Sequence, residues 1–287
     1  MKIQTIVETG QSKNKISFEN GIMIMGSCFA DNIGRRMTNY GFRATVNPLG
    51  TTYNPASISR SLERISEGRT FTAEECVRIG AGDERICTYS HHTKCARASI
   101  EAFLTEANTI LSEAHEAWSR ADVLIITLGT AWVFRHKERD EIVTNCLKHP
   151  AQEFERYKLS VEETAEELTK IARIAEGRKM IITISPIRHM ADGAHGNMVS
   201  KSTLQCATDI VINKNNGDIE YFPSYEIMMD ELRDYRWYAE DMVHPTEQTE
   251  SYIFERFMEF ALKQEEKAKL DENIKKYKAT MHRKMLS

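Results

Sequence analysis

A chain of 287 residues with 41% apolar content can bury a substantial core, as one large α/β domain or two small ones, and neither a disordered chain nor a fibre fits that composition. The formal net charge is −4 with acidic and basic residues interspersed, which argues against nucleic-acid or anionic-lipid partners. Six cysteines without regular spacing make no disulfide framework, residues 1–20 lack the apolar stretch of a signal peptide, and no apolar run can span a bilayer, so a soluble, cytoplasmic protein with reduced thiols is expected.

Residues 2–19 alternate loosely through Ile3, Ile6, Val7, Ile16 and Phe18, which predicts a short edge strand or a covering arm. Residues 22–25 read as a buried strand, Gly26-Ser27-Cys28 as a tight turn, and Ile33, Met37 and Tyr40 recur at helical spacing. A strand, turn and helix in that order hold a side chain at the carboxyl end of the strand and aim helix-start N–H groups at the same point. That suits a nucleophile and its oxyanion. The plainer reading of Ser27 and Cys28 is a turn followed by a cysteine packed as a small hydrophobe. Residues 42–46 predict a second strand, running into the turn-rich loop 47–55. Asn54 then caps a helix with Pro55 at its first position and Ile58, Leu62 and Ile65 on its buried face.

Residues 67–97 are broken by Gly68, Gly80 and Gly82 and read as an insertion or lid. From Ser99 the residues Ile100, Phe103, Leu104, Ala107, Leu111, Ala114 and Trp118 hold one helix face for about five turns. Val123–Leu128, ending at Gly129, fits a parallel strand buried on both faces. A polar excursion, 135–157, precedes a helix with capping-box spacing at Ser160 and Glu163, an inward face through Val161, Ala165, Leu168, Ala172 and Ala175, and a stop at Gly177. Residues 179–185 are the next central strand, 186–200 a long loop holding His189 and His195, and 201–213 a helix on Leu204, Ala207 and Val211. Ile219–Phe222 predicts a further strand. A loop carrying Asp241 and His244 then leads into a helix from Thr246 with Ile253, Phe257 and Ala261 inward.

The tail from Lys263 is dense in lysine and glutamate but keeps a stripe of Leu270, Ile274, Tyr277 and Met281. It reads as a solvated helix lying on the domain, with a dimerising or partner-binding helix as the alternative. Without an internal repeat or linker, the division is one α/β domain over 1–262 and a charged helical tail over 263–287. Strands alternating with long helical segments require crossovers, hence a mostly parallel sheet covered on both faces. Such sheets bind ligands beyond the carboxyl ends of their strands, so Cys28, Gly50, Thr130 and His189 should share one edge.

A thiol or hydroxyl on the first loop needs a base, and the base needs a group to hold its tautomer. Asp241 and His244, three residues apart in a turn, offer both; otherwise Asp241 caps the last helix and His244 merely precedes Pro245. Cys87, His91, His92 and Cys95 are residue types that bind zinc, but their spacing is not that of a finger or ribbon, and no metal is expected. His189 and His195 offer a rival base or a substrate contact, or are surface histidines. Trp132 and Tyr53 offer stacking surfaces for a sugar, or are core.

The run Gly26-Ser27-Cys28-Phe29-Ala30 resembles the signature of the GSCFA family. So do residues 47–55, Leu128-Gly-Thr-Ala-Trp132, Ser185-Pro186 with His189, and Asp241-Met-Val-His-Pro245, in one order along most of the chain. That family resembles the SGNH, or GDSL-type, hydrolases. The resemblance implies a three-layer flavodoxin-like fold, a nucleophile in the first block and an Asp-x-x-His pair in the last. It places Cys28 where the nucleophilic serine stands, with Ser27 one position away as the alternative, and Gly50 as the second-block glycine whose N–H serves the oxyanion. The third-block asparagine is replaced by Ala131, leaving Thr130 as a substitute donor. Together these imply an ester hydrolase or O-acyltransferase acting on a small-molecule or glycan ester through an acyl-enzyme, without metal or organic cofactor. The alternative is a binding or scaffold protein that keeps the fold without the chemistry.

Overall fold

The apolar runs pair into one parallel sheet. In a computed structural model of the chain, residues 4–215 and 217–286 are described. In chain order the elements are β1 (Gly21–Gly26), α1 (Cys28–Asn39), β2 (Arg43–Val46), α2 (Pro55–Glu67), β3 (Cys76–Arg78), β4 (Ile86–Thr88), α3 (Ile100–Ser119), β5 (Val123–Leu128), β6 (Trp132–His136), β7 (Glu141–Val143), β8 (Phe154–Lys158), α4 (Val161–Ile174), β9 (Lys179–Ile184), α5 (Gly193–Lys214), β10 (Ile219–Phe222), the single turn α6 (Ser224–Glu226), α7 (Glu247–Ala261) and α8 (Lys267–Leu286).

The central sheet has five strands in the order β10-β9-β5-β1-β2, and every neighbouring pair is parallel. Alternation along the strands divides the core. Met23, Met25, Leu124, Ile126, Met180 and Ile182 pack on one face with α2 to α5, and Ile22, Ile24, Val123, Ile125 and Ile181 on the other with α1 and α7. Burial on both faces is why these strands read as continuous apolar runs. The chain steps from β1 out to β2 and returns to β5 on the far side of β1, the flavodoxin-like order, which opens a crevice at the carboxyl ends of β1 and β5.

Gly26 ends β1 with φ +134°, and a Cβ there would fall on the Thr127 carbonyl oxygen, so only glycine permits this close turn between β1 and β5. The helix starts follow their caps. The Asn54 side chain accepts from Ser57 N at the head of α2, and Ser160 with Glu163 forms the reciprocal capping box of α4.

Several segments differ from the sequence reading. Residues 67–97 lie outside the central sheet but are not a lid: β3 and β4 form a short antiparallel pair, and Phe71, Ile79, Ile86, Cys87, Tyr89 and Ala96 are buried in the core beside α2 and α3. The polar excursion is a three-stranded antiparallel sheet, β7-β6-β8. Helix α5 begins at Gly193, well before the expected start at 201, because its first inward residues, Asn197, Ser200 and Lys201, are polar and show no apolar periodicity. The N-terminal segment is a covering arm without a regular strand. Ser12 N donates to Phe260 O at 2.9 Å, Ile16 N to Ala261 O at 2.8 Å, and Ile16 and Phe18 are buried; Ile3 lies outside the described residues.

The tail helix α8 lies against α1. Leu270 is buried, Ile274 and Tyr277 are half-buried, Asn273 Nδ2 donates to Tyr40 O at 2.8 Å, and Met281 is exposed. Among the described residues no helix is long and apolar enough to cross a membrane.

Candidate active site

The carboxyl ends of β1, β5 and β9, with the loop before α7, converge on a cavity of about 370 Å³. Cys28, Thr130, Trp132, His189 and His244 all line it, with Tyr53, Asn54, Arg156, Arg188 and Asp192 among their neighbours. Of the sequence-predicted residues, Ser27, Gly50 and Asp241 are not on its wall, and neither is His195, which is exposed on α5.

Cys28 is the first residue of α1, and among the described residues no group accepts its backbone N–H. Ser27 is the N-cap. Its hydroxyl accepts from Phe29 N at 3.3 Å, sits 3.1 Å from Thr127 Oγ1, and is buried in the fold, which leaves Cys28 as the side chain presented to the cavity. Burial pushes the Cys28 thiol above its ordinary value and the Asp31 carboxylate adds to that, while the helix-start N–H and the Lys201 ammonium pull it down. Asp31 is held in turn. Asn47 Nδ2 donates to it at 2.6 Å and Thr51 Oγ1 at 2.9 Å, while Asn47 Oδ1 accepts from Gly26 N at 2.8 Å. This network locks the loop 47–54 onto the first turn of α1.

His244 Nδ1–H donates to Asp241 Oδ2 at 2.6 Å, and Asp241 Oδ1 accepts the N–H groups of Val243 and His244 at 2.9 Å each. These bonds hold the Asp241 carboxyl down at about 2, so it is ionised at neutral pH and fixes the proton on Nδ1. Helix α7 is capped by the Thr246 side chain, which accepts from Thr249 N, so Asp241 has no capping role there. Nε2 of His244 has no hydrogen-bond partner among the described residues. Cys28 and His244 share the cavity wall without a hydrogen bond between them.

The expected oxyanion donors fare differently. Gly50 N–H is used by the turn that starts at Asn47, donating to Asn47 O at 2.8 Å. Thr130 does reach the cavity, but its hydroxyl lies 3.0 Å from Ser200 Oγ and accepts from Trp132 N at 3.1 Å. The Gly50 N–H is committed within the fold, and the Thr130 hydroxyl is held against Ser200.

The GSCFA family model matches residues 21–257. The chain belongs to the GSCFA family. Among solved structures it is similar to an acetyl xylan esterase, Est2A, from the rumen bacterium Butyrivibrio proteoclasticus, at 8% sequence identity and a TM-score of 0.40, covering 84% of this chain and 63% of that one. This GSCFA protein thus spans less than two thirds of the esterase chain. No curated protein matches it in sequence.

Other features of the GSCFA site lay outside the sequence reading. Arg156, on β8, stacks its guanidinium 4.3 Å from the Trp132 ring centroid and pairs with Asp192, so the antiparallel sheet supplies one wall of the cavity. Among the described residues Trp132 Nε1 is buried there without a partner, and so is His189 Nε2. Burial, then Lys201, pushes His189 down to about 4, which keeps its ring neutral.

Lys201 is fully buried on α5. Its Nζ donates to Gly129 O and Ser185 O at 2.8 Å each, and no carboxylate among the described residues pairs with it. It ties the carboxyl ends of β5 and β9 together beneath the site. Burial lowers its pKa to about 7, and Cys28 opposes that shift. The only sequence signal for it is its place on the stripe of Leu204, Ala207 and Val211.

Cys87 and His91 belong to the β3–β4 packing: the Cys87 thiol lies 3.7 Å from His92 O, and His91 Nδ1 is 2.7 Å from Thr88 Oγ1. Among the described residues no three His, Cys, Asp or Glu side chains are grouped to hold a metal ion.

Proposed function

We propose that this GSCFA protein is an acyl-ester hydrolase or O-acyltransferase that works through a thioester on Cys28, in the manner of the SGNH hydrolases it resembles. The observation that carries the reading is the shared cavity. A cysteine at an open helix start and a histidine oriented by an ionised aspartate face the same space at the switch point of the sheet.

In the proposed reaction His244 Nε2 takes the thiol proton as Cys28 Sγ forms a bond to the ester carbonyl carbon. The carbonyl oxygen becomes an oxyanion beside the Cys28 N–H. Collapse breaks the carbon–oxygen bond, and His244 returns the proton to the departing alkoxide. Water or an acceptor hydroxyl, deprotonated by His244, then attacks the thioester; the carbon–sulfur bond breaks and the thiolate recovers the proton. The substrate class is a small-molecule or glycan ester, with the indole face of Trp132 as the surface for a sugar ring.

A second reading, a binding protein that keeps this fold, is favoured by one observation: the thiol is pushed up and makes no hydrogen bond to His244. Turnover of activated aryl esters and acetylated sugars by the parent and by Cys28→Ala separates the two. Turnover lost in Cys28→Ala supports the enzyme; its absence in the parent, together with saturable sugar binding, supports the binding protein.

A further inference from the structure

A tetrahedral intermediate at Cys28 needs more than one hydrogen-bond donor, since each such donor in an oxyanion hole is worth on the order of 10²–10³ in rate. The Cys28 N–H is open, Gly50 N–H is engaged elsewhere, the Thr130 hydroxyl is held against Ser200 and Trp132 N, and Ala131 brings no side-chain donor. Ala131 N–H is itself given to Ser200 Oγ at 2.8 Å. Asn54 is a donor on the cavity wall that remains uncommitted among the described residues and, unlike the Trp132 Nε1 and His189 Nε2 atoms, is not sealed within the fold. Asn54 Oδ1 accepts from Ser57 N at 2.8 Å as the cap of α2, which turns the other branch of its amide away from the helix. Its Nδ2 finds no acceptor among the described residues, is not sealed off in the core, and belongs to a side chain that lines the same cavity as Cys28.

We infer that Asn54 is a catalytic residue: its side-chain NH₂ joins the Cys28 N–H as the second oxyanion donor, in place of the asparagine missing at Ala131. The inference rests on the acyl-transfer reading above. The local build supports the role. The cap bond fixes the amide plane, Pro55 fixes the backbone that follows, and Tyr53 O accepts the N–H groups of Gly129 and Thr130 at 2.8 and 2.9 Å, pinning this loop to the end of β5. An amide held this way needs little reorganisation when charge develops on the substrate oxygen, which is the condition for strong electrostatic stabilisation. One side chain thus starts a helix with its oxygen and serves the reaction with its nitrogen.

The test uses Asn54→Ser and Asn54→Asp, both good caps, so that α2 is retained while the amide donor is removed. Acylation of Cys28 by an activated acetyl ester is compared with its alkylation by iodoacetamide, a displacement that builds no oxyanion. For Asn54→Ser, acylation should fall on the order of 10²–10³ while alkylation stays within about threefold of the parent and the melting temperature is little changed. Asn54→Asp, compared above the thiol midpoint so that its added charge does not enter, should lose acylation at least as far. Equal losses of acylation and alkylation, or acylation in Asn54→Ser within about threefold of the parent, would overturn the assignment of Asn54 alone. Failure of the parent to acylate with any activated ester overturns the acyl-transfer reading and this inference with it.

Discussion

The Asp241 carboxylate and the His244 imidazole form a closed unit in one turn. Oδ2 takes the ring Nδ1–H at 2.6 Å while Oδ1 takes the His244 backbone N–H at 2.9 Å. Both ends of the histidine are therefore held by one side chain, and the free Nε2 is presented by backbone geometry rather than by packing. The pair is about half exposed, so its strength is orientation more than burial. Asp241→Asn replaces one acceptor oxygen by a donor and releases the tautomer. We expect kcat to fall by about 10² or more with KM little affected, and His244→Ala to fall further, measured as steady-state ester cleavage.

Lys201→Met tests the buried ammonium. It leaves the Gly129 and Ser185 carbonyls without their donor, and unpaired buried acceptors cost about 1–3 kcal/mol each. It also removes a cationic side chain that lowers the Cys28 thiol, against Asp31 and Glu250, which raise it. Urea denaturation should show the loss of stability. The midpoint for alkylation of Cys28 should move up, slowing the reaction at neutral pH. An unmoved midpoint in a folded variant would show that the ammonium serves the strand ends alone.

Histidine burial sets an acid limit on stability. His91 and His189 are both held down at about 4, chiefly by burial, against an ordinary value of about 6.5. Between those values the unfolded chain carries the protons and the folded one does not, so their contribution is fully present above about 6.5 and is lost as pH falls toward 4. For His91, 4% exposed, the slope is up to about 1.4 kcal/mol per pH unit. Denaturation at pH 5 and pH 7 should show this difference, and His91→Gln should flatten it.

What could be read from the residues follows from which surfaces they bury. Val123–Leu128 and Lys179–Ile184 declare themselves because both faces are covered, and α2 and α4 because Asn54, Pro55, Ser160 and Glu163 punctuate them. The sheet of β6 to β8 was hidden: Phe134, Glu155 and Arg156 face outward or toward the cavity, so its strands carry little apolar signal. The start of α5 was hidden for a related reason, since Asn197, Ser200 and Lys201 point inward to serve polar groups at the site. At the site itself, strand order alone put Cys28, Gly50, Thr130 and His189 at one edge, and of these Cys28, Thr130 and His189 line the cavity while Gly50 does not. Hydrogen-bond commitments could not be placed that way. Only the folded loop shows that Gly50 N–H turns back on Asn47 and that the Asn54 amide is left over.

Cys28 is proposed as the acylated residue and His244 as its base. Intact-protein mass after brief exposure to an activated acetyl ester, for the parent, Cys28→Ala, Ser27→Ala and His244→Ala, tests it most directly. One acetyl adduct is expected on the parent and on a folded Ser27→Ala, no adduct on Cys28→Ala, and slow, incomplete labelling of His244→Ala. An adduct that survives Cys28→Ala but disappears with Ser27→Ala would contradict that assignment, and so would a parent that never acquires one.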